Sequence, residues 1–152
     1  WPCQAAGPHP LPRSVSVVLC TRDRAESLRL ALGSVLAAAA QDVQVVVVDN
    51  GSDPPARVPA DPRIRLVRNE QNRGVAPARN QGIAITTTEI CCLLDSDARV
   101  EPEALARLAA ALEGDVVLAG PVFVGQTLVG FTASRAPPTR ATSSPICPRT
   151  RA

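Results

Sequence analysis

The chain has 152 residues, 45% of them hydrophobic and 20% charged, with a formal net charge of +2. That length allows one domain with a single core of useful size and not two, and so small a charge gives no ground for nucleic acid or a membrane surface as partner. No apolar run is long enough to span a bilayer, and no signal-peptide pattern is present.

Every basic residue other than His9 is arginine, a usage that reflects a high-GC coding sequence more than chemistry. The five cysteines are an odd number without a CxxC pair, so neither a disulfide framework nor a zinc site is expected, and a reducing compartment is. Cys91 and Cys92 read as small buried hydrophobes. The chain begins with Trp1 rather than methionine and is expected to be a piece of a longer reading frame.

Residues 1–13 carry four prolines and no periodicity and read as an unstructured lead-in. Ser14–Cys20 is a β-branched apolar run, a buried strand. Asp23 and Glu26 have the spacing of a capping box and open a helix with Leu28, Leu32, Val35, Leu36 and Ala39 on one face. Val43–Asp49 is a second buried strand, closed by the turn signal Asn50-Gly51-Ser52. Ile64–Arg68 is a third, shorter strand. Gly74 precedes a helix from Val75 to about Ile85, with Pro77 tolerated in its first turn. Ile90–Asp95 is a fourth buried strand, and Pro102 starts a helix with Leu105, Leu108, Ala109 and Leu112 at helical spacing. Val116–Val122 predicts a fifth strand and Gln126–Thr132 a sixth. The domain is thus expected over residues 14–133, with a Pro/Arg/Ser/Thr-rich tail, expected to be disordered, over 134–152.

Strands rich in Val, Ile and Leu alternating with helices predict an α/β domain, a mostly parallel sheet covered by helices on both faces. Such sheets bind ligands beyond the C-terminal ends of their strands. Three strands deliver aspartates to that rim: Asp23 after the first, Asp49 after the second, Asp95 and Asp97 after the fourth. Two carboxylates two positions apart just past a strand can share one hard cation through oxygen, and such a cation would neutralise charge on a leaving diphosphate. Alone, an Asp-Ser-Asp triplet is more often a solvated turn or a helix cap; its place after a buried strand, with Asp49 on the same rim, favours the metal. Asp49 can accept two hydrogen bonds at once, as a ribose diol or a base N–H requires, although a turn aspartate is equally common. Arg79 in the second helix and Arg24 beside the first are candidates for the diphosphate, set against the plainer reading of surface arginines.

Four segments in order, SVSVVLCTRDR, VQVVVVDNGSD, VRNEQNRGVAPARNQGI and EICCLLDSDARVEPEAL, resemble family 2 glycosyltransferases of the GT-A fold, from about Ser14 to Leu112. The resemblance implies the nucleotide-sugar-binding half of a Rossmann-like enzyme that moves a sugar, with inversion, from a nucleotide-sugar donor to an acceptor hydroxyl on a sugar, lipid or other molecule. It implies that Thr21 and Asp49 contact the nucleoside and that Arg79 lies near the nucleotide. It further implies that Asp95 and Asp97 form the DxD motif for ribose and for Mg2+ or Mn2+, with Asp97 the principal metal ligand, and that Asn80 and Gly82 are structural. The family's catalytic base lies further downstream of the DxD than this sequence extends, so the general base is expected to be missing from this chain and the chain alone inactive. The implied location is the cytoplasm, at the inner face of the membrane for a full-length form, any membrane association coming through regions outside this chain.

Other doubly wound proteins fit less well. A dinucleotide-dependent dehydrogenase needs a glycine-rich turn after the first strand, and residues 20–28 contain no glycine. A receiver domain resembles a pattern that requires a lysine, which is absent, and the P-loop signature does not occur. The remaining alternative is a non-catalytic nucleotide-binding fragment or a decayed paralogue of the same fold.

Overall fold

The computed structural model describes residues 14–38, 43–112, 116–124 and 127–135, the last two stretches as backbone only. Strands β1 (Val15–Thr21), β2 (Val43–Asn50), β3 (Ile64–Asn69) and β4 (Ile90–Asp95) alternate with helices α1 (Ala25–Ala38), α2 (Val75–Ala84) and α3 (Ala104–Ala111). The strands form one four-stranded sheet in the order β3-β2-β1-β4, and every pair in it is parallel. This is the expected α/β architecture. The lead-in of residues 1–13, the last expected residue of the first helical face, Ala39, and residues 136–152 lie outside the described residues.

Alternation along the strands divides the core. Val15, Val17 and Leu19 of β1 and Val43, Val45 and Val47 of β2 pack with Leu28, Ala31, Leu32 and Val35 of α1 and with Leu105 and Ala109 of α3. Val18, Val46 and Val48 point the other way and pack against Ala78 of α2. The central strands are therefore apolar on both faces, as a sheet with helices on two sides demands. Polar side chains on the α2 face include a bonded set, with Thr88 donating to Ser16 Oγ at 2.7 Å and Ser16 donating to Gln44 Oε1 at 2.9 Å. At Gly82, a Cβ would fall 2.4 Å from Cγ1 of Val18 and 3.3 Å from Cγ2 of Val48, so α2 lies on the sheet at a distance only glycine permits. Gly82 is structural, as the resemblance implies.

Several expectations are corrected. β4, which with β3 edges the sheet, is only half buried. Cys91 is exposed, since it stands on the α2 side of the edge strand, whereas Cys92 points the other way and is partly buried against the core under α1 and α3. Asp23 does not cap α1. Its φ is +54° and its Oδ1 accepts the Asp53 N–H at 2.8 Å, while α1 starts at Ala25 and the Leu28 N–H bonds to the Arg24 carbonyl. The third helix begins at Ala104, not Pro102, which lies in the preceding turn. β5 (Val116–Val124) does not extend the parallel sheet; it pairs antiparallel with β6 (Thr127–Arg135) in a sheet of its own. β6 includes Ser134 and Arg135.

Candidate functional site

The chain leaves β1 through α1 to β2 on one side, continues to β3, and returns through α2 to β4 on the other side of β1. The switch in direction falls between β1 and β4, and a crevice opens outside the C-terminal ends of strands where the order reverses. A cavity of about 370 Å³ lies there, lined by Thr21 and Arg24 from the end of β1, Val75 and Arg79 from α2, and Asp95 and Asp97 from the end of β4, among others. Five of the six site residues expected from sequence thus share one cavity although they come from three parts of the chain.

Their charges are already matched. Arg24 donates to Asp97 Oδ2, and Arg79 donates to Asp95 Oδ1. Both carboxylates stay more than half exposed, at 56% for Asp97 and 66% for Asp95, so each pair is worth only about 0.2–1 kcal/mol. Neither aspartate serves α3, whose N-cap position is Glu103. Among the described residues no cluster of three or more His, Cys, Asp or Glu is placed to hold a metal. Two carboxylates are nevertheless the donor set that Mg2+ or Mn2+ takes when phosphate oxygens and water complete the shell, so the residues fit such an ion.

Thr21 ends β1 with 3% exposure, and its Oγ1 is the only buried side-chain polar atom among the described residues without a hydrogen-bond partner. A buried hydroxyl left unbonded costs free energy; the residue lines the 370 Å³ cavity and a second one of about 520 Å³, while the hydroxyl itself is covered. The larger cavity lies between the start of α1 (Ala25, Arg29) and the loop after β2 (Ser52, Pro54, Pro55, Arg57).

Asp49 is placed differently from the other five. It is fully buried, behind the cavity. Its Oδ1 accepts the Ser52 N–H and its Oδ2 the Ala56 N–H, both at 2.9 Å, and Arg68 donates to Oδ2 as well. Burial alone would push its carboxyl up, but the hydrogen bonds from Ser52, Ala56 and Arg68 together outweigh it and hold the carboxyl below its ordinary value. Asp49 thereby ties down the loop that walls the larger cavity. Beside it, Asn50 donates to Asn72 Oδ1 at 2.9 Å and to the Gly74 carbonyl at 3.1 Å, and its Oδ1 accepts from Asn69 and from the Arg73 N–H, both at 3.1 Å. This network fixes the entry to α2, and with it Arg79. At Gly51, φ is +81° and a Cβ would lie 2.8 Å from the Asn72 nitrogen, so the two loops touch backbone to backbone.

Sequence reasoning missed Arg68, Asn69 and Asn72. The signal was present for Arg68: it closes β3 as Asp49 closes β2, and in a parallel pair in register the two stand side by side.

The fold and this rim together define a doubly wound domain with a charged binding crevice at its switch point. The Glycosyl transferase family 2 profile matches residues 16–148, and the chain belongs to that family. It is 40% identical over 98 residues to the Succinoglycan biosynthesis protein ExoO of Rhizobium meliloti, covering 62% of this chain and 28% of that protein. It is 32% identical over 130 residues to the Glucosyl-dolichyl phosphate glucuronosyltransferase of Haloferax volcanii, covering 81% and 41%. This chain therefore spans less than half the length of either relative. Among solved structures it is similar to the mannosyltransferase PcManGT from Pyrobaculum calidifontis in complex with GDP-Man and Mn2+, with a TM-score of 0.61 and 24% identity over 78% of this chain and 38% of that one. S. aureus TarS 1-349 in complex with UDP-GlcNAc gives a TM-score of 0.56 at 22% identity, over 68% and 33%. These likenesses establish the GT-A type of fold.

Proposed function

We propose that this chain forms the donor-binding part of an inverting, metal-dependent glycosyltransferase that carries a sugar from a nucleotide-sugar to an acceptor hydroxyl. The observation that carries this reading is the convergence of Arg24, Arg79, Asp95 and Asp97 on one cavity at the sheet's switch point. The Mn2+ and nucleotide-sugars in the structural neighbours support the same chemistry for this chain.

The roles follow from position. The larger cavity takes the nucleoside, with Pro54, Pro55 and Thr21 among its lining residues. Asp49 acts on the nucleoside through the loop it anchors. The smaller cavity takes the diphosphate. Arg24 and Arg79 supply fixed donors to its oxygens, and Asp95 and Asp97 hold the divalent cation. When bound, that cation offsets the negative charge that develops on the departing diphosphate. No described residue is assigned the proton of the acceptor hydroxyl.

Calorimetric titration with GDP and UDP, in Mn2+ and in chelator, tests the reading. We expect binding that needs the metal, and an Asp97→Asn variant that binds equally weakly in both conditions. Equal affinity of the unaltered chain with and without Mn2+ sinks it.

A further inference from the structure

We propose that Arg24 and Arg79 are built-in counter-ions that hold the two aspartates closed against a lone cation, so that the cavity opens to a cation and a diphosphate only together. The inference rests on the donor-binding reading and concerns how that site is kept when empty. It starts from the pairing pattern. Each carboxylate of the Asp95/Asp97 pair has its own guanidinium, Arg79 for Asp95 and Arg24 for Asp97, and the four side chains line a single cavity. A third arginine on the same wall, Arg22, is excluded from this exchange because its guanidinium sits 3.4 Å from Asp23.

A cation arriving alone finds one oxygen of each carboxylate already bonded to a guanidinium and must sit beside two positive charges that repel it or displace them. A diphosphate arriving alone must strip the arginines and leave two carboxylates facing it. Arriving together, they re-sort the site without leaving any charge unmatched: carboxylates to the cation, guanidiniums to the phosphate oxygens. Coupling of this kind is reciprocal, each ligand raising the other's affinity by the same factor.

The consequence is an inversion of the usual sign of a binding-site mutation. Removing one member of the site should improve binding of the half-ligand it opposes. We expect Arg79→Gln and Arg24→Gln each to tighten Mn2+ binding, measured without any phosphate by the electron paramagnetic resonance signal of the free ion. The gain should be about two- to fivefold, the range of one exposed ion pair. The same variants should weaken pyrophosphate binding in the presence of Mn2+ by roughly tenfold or more, as the loss of a charged hydrogen bond does. Conversely, Asp95→Asn and Asp97→Asn should tighten pyrophosphate binding in chelator. Arg22→Gln separates paired counter-ions from a general positive field, since it removes the same charge from the same wall without freeing Asp95 or Asp97. If Arg22→Gln raises Mn2+ affinity as much as Arg79→Gln does, or if neither Arg24→Gln nor Arg79→Gln raises it, the counter-ion inference is overturned. Metal-dependent binding of GDP or UDP to the unaltered chain would in that event leave the donor-binding reading standing. The variants alter exposed side chains, and unchanged melting temperatures will verify that each is folded.

Discussion

Thr21 separates stability from binding more sharply than any other residue of the site. Its hydroxyl is buried without a partner, so Thr21→Val, nearly the same shape, removes an unsatisfied group. We expect the free chain to be unchanged or stabilised by up to about 1 kcal/mol, while the affinity for nucleoside diphosphate falls. A variant that loses stability and keeps its affinity would assign the hydroxyl to the fold. Asp49 behaves in the opposite way. Asp49→Asn places an amide among donors and gives up the charge that Arg68 meets, and should cost about 1–3 kcal/mol. Because the folded carboxyl is held below its ordinary value, its contribution is complete above about pH 3.9 and is lost as the pH falls from there through the folded pKa. Acid unfolding of Asp49→Asn should therefore be shallower than that of the unaltered chain; coincident acid limbs would contradict this. That Asp95, Asp97, Arg24, Arg79 and Thr21 gather at one rim was legible because each ends an apolar strand, lies within three residues past one, or sits in the helix beside it. That Asp49 is spent on a loop was not legible, since nothing in one sequence says which donors a carboxylate meets.

At the scale of elements, α2 depends on closeness and its entry on amides. Gly82→Ala drives a methyl group into Val18 and should destabilise by about 1–3 kcal/mol, as overpacking does, with denaturant midpoint as the measure. Asn50→Ala removes four hydrogen bonds, three that join β2 to the chain entering α2 and one to Asn69 at the end of β3. We expect faster amide exchange over residues 70–76 and weaker diphosphate binding through Arg79, with the metal-only affinity unlowered; unchanged exchange would show that the loop is held otherwise. Strand and helix order was legible from periodicity. The start of α1 was not: Asp23 has the spacing of a cap, but its carboxylate is drawn across to Asp53, and tertiary contact overrides the local signal. Burial of β4 was overestimated for a related reason. An apolar strand at a sheet's edge and one at its centre read alike, and only the strand order tells them apart.

For the whole molecule, the parallel sheet followed from alternating apolar strands and helices, whereas the separate β5–β6 pair did not, because a fifth apolar run carries no mark of its partner. Ligand binding to the native state alone raises stability by about 2.7 kcal/mol at a hundredfold excess over Kd. A nucleoside diphosphate with Mn2+ should accordingly raise the melting temperature by several degrees, and Mn2+ alone should do so far less. The chain aligns with under half of each relative described above. We expect the 152-residue chain to bind donor yet release nucleoside diphosphate no faster with an acceptor than without one. Acceptor-dependent release would place a working base among its own residues.

The strand order also sets a timetable. β1 is made before the other three strands of its sheet but stands inside it, with Val15 beside Val43 on one edge and beside Ile90 on the other. Its second edge has no native partner until most of the domain has been made, and such long-range parallel pairing is slow to form. During synthesis a strand of Val and Leu thus waits with open hydrogen-bonding groups, the condition in which nascent chains stick to one another. The arrangement that gathers the rim residues around β1 thus leaves this strand, of the four, waiting longest for both of its neighbours.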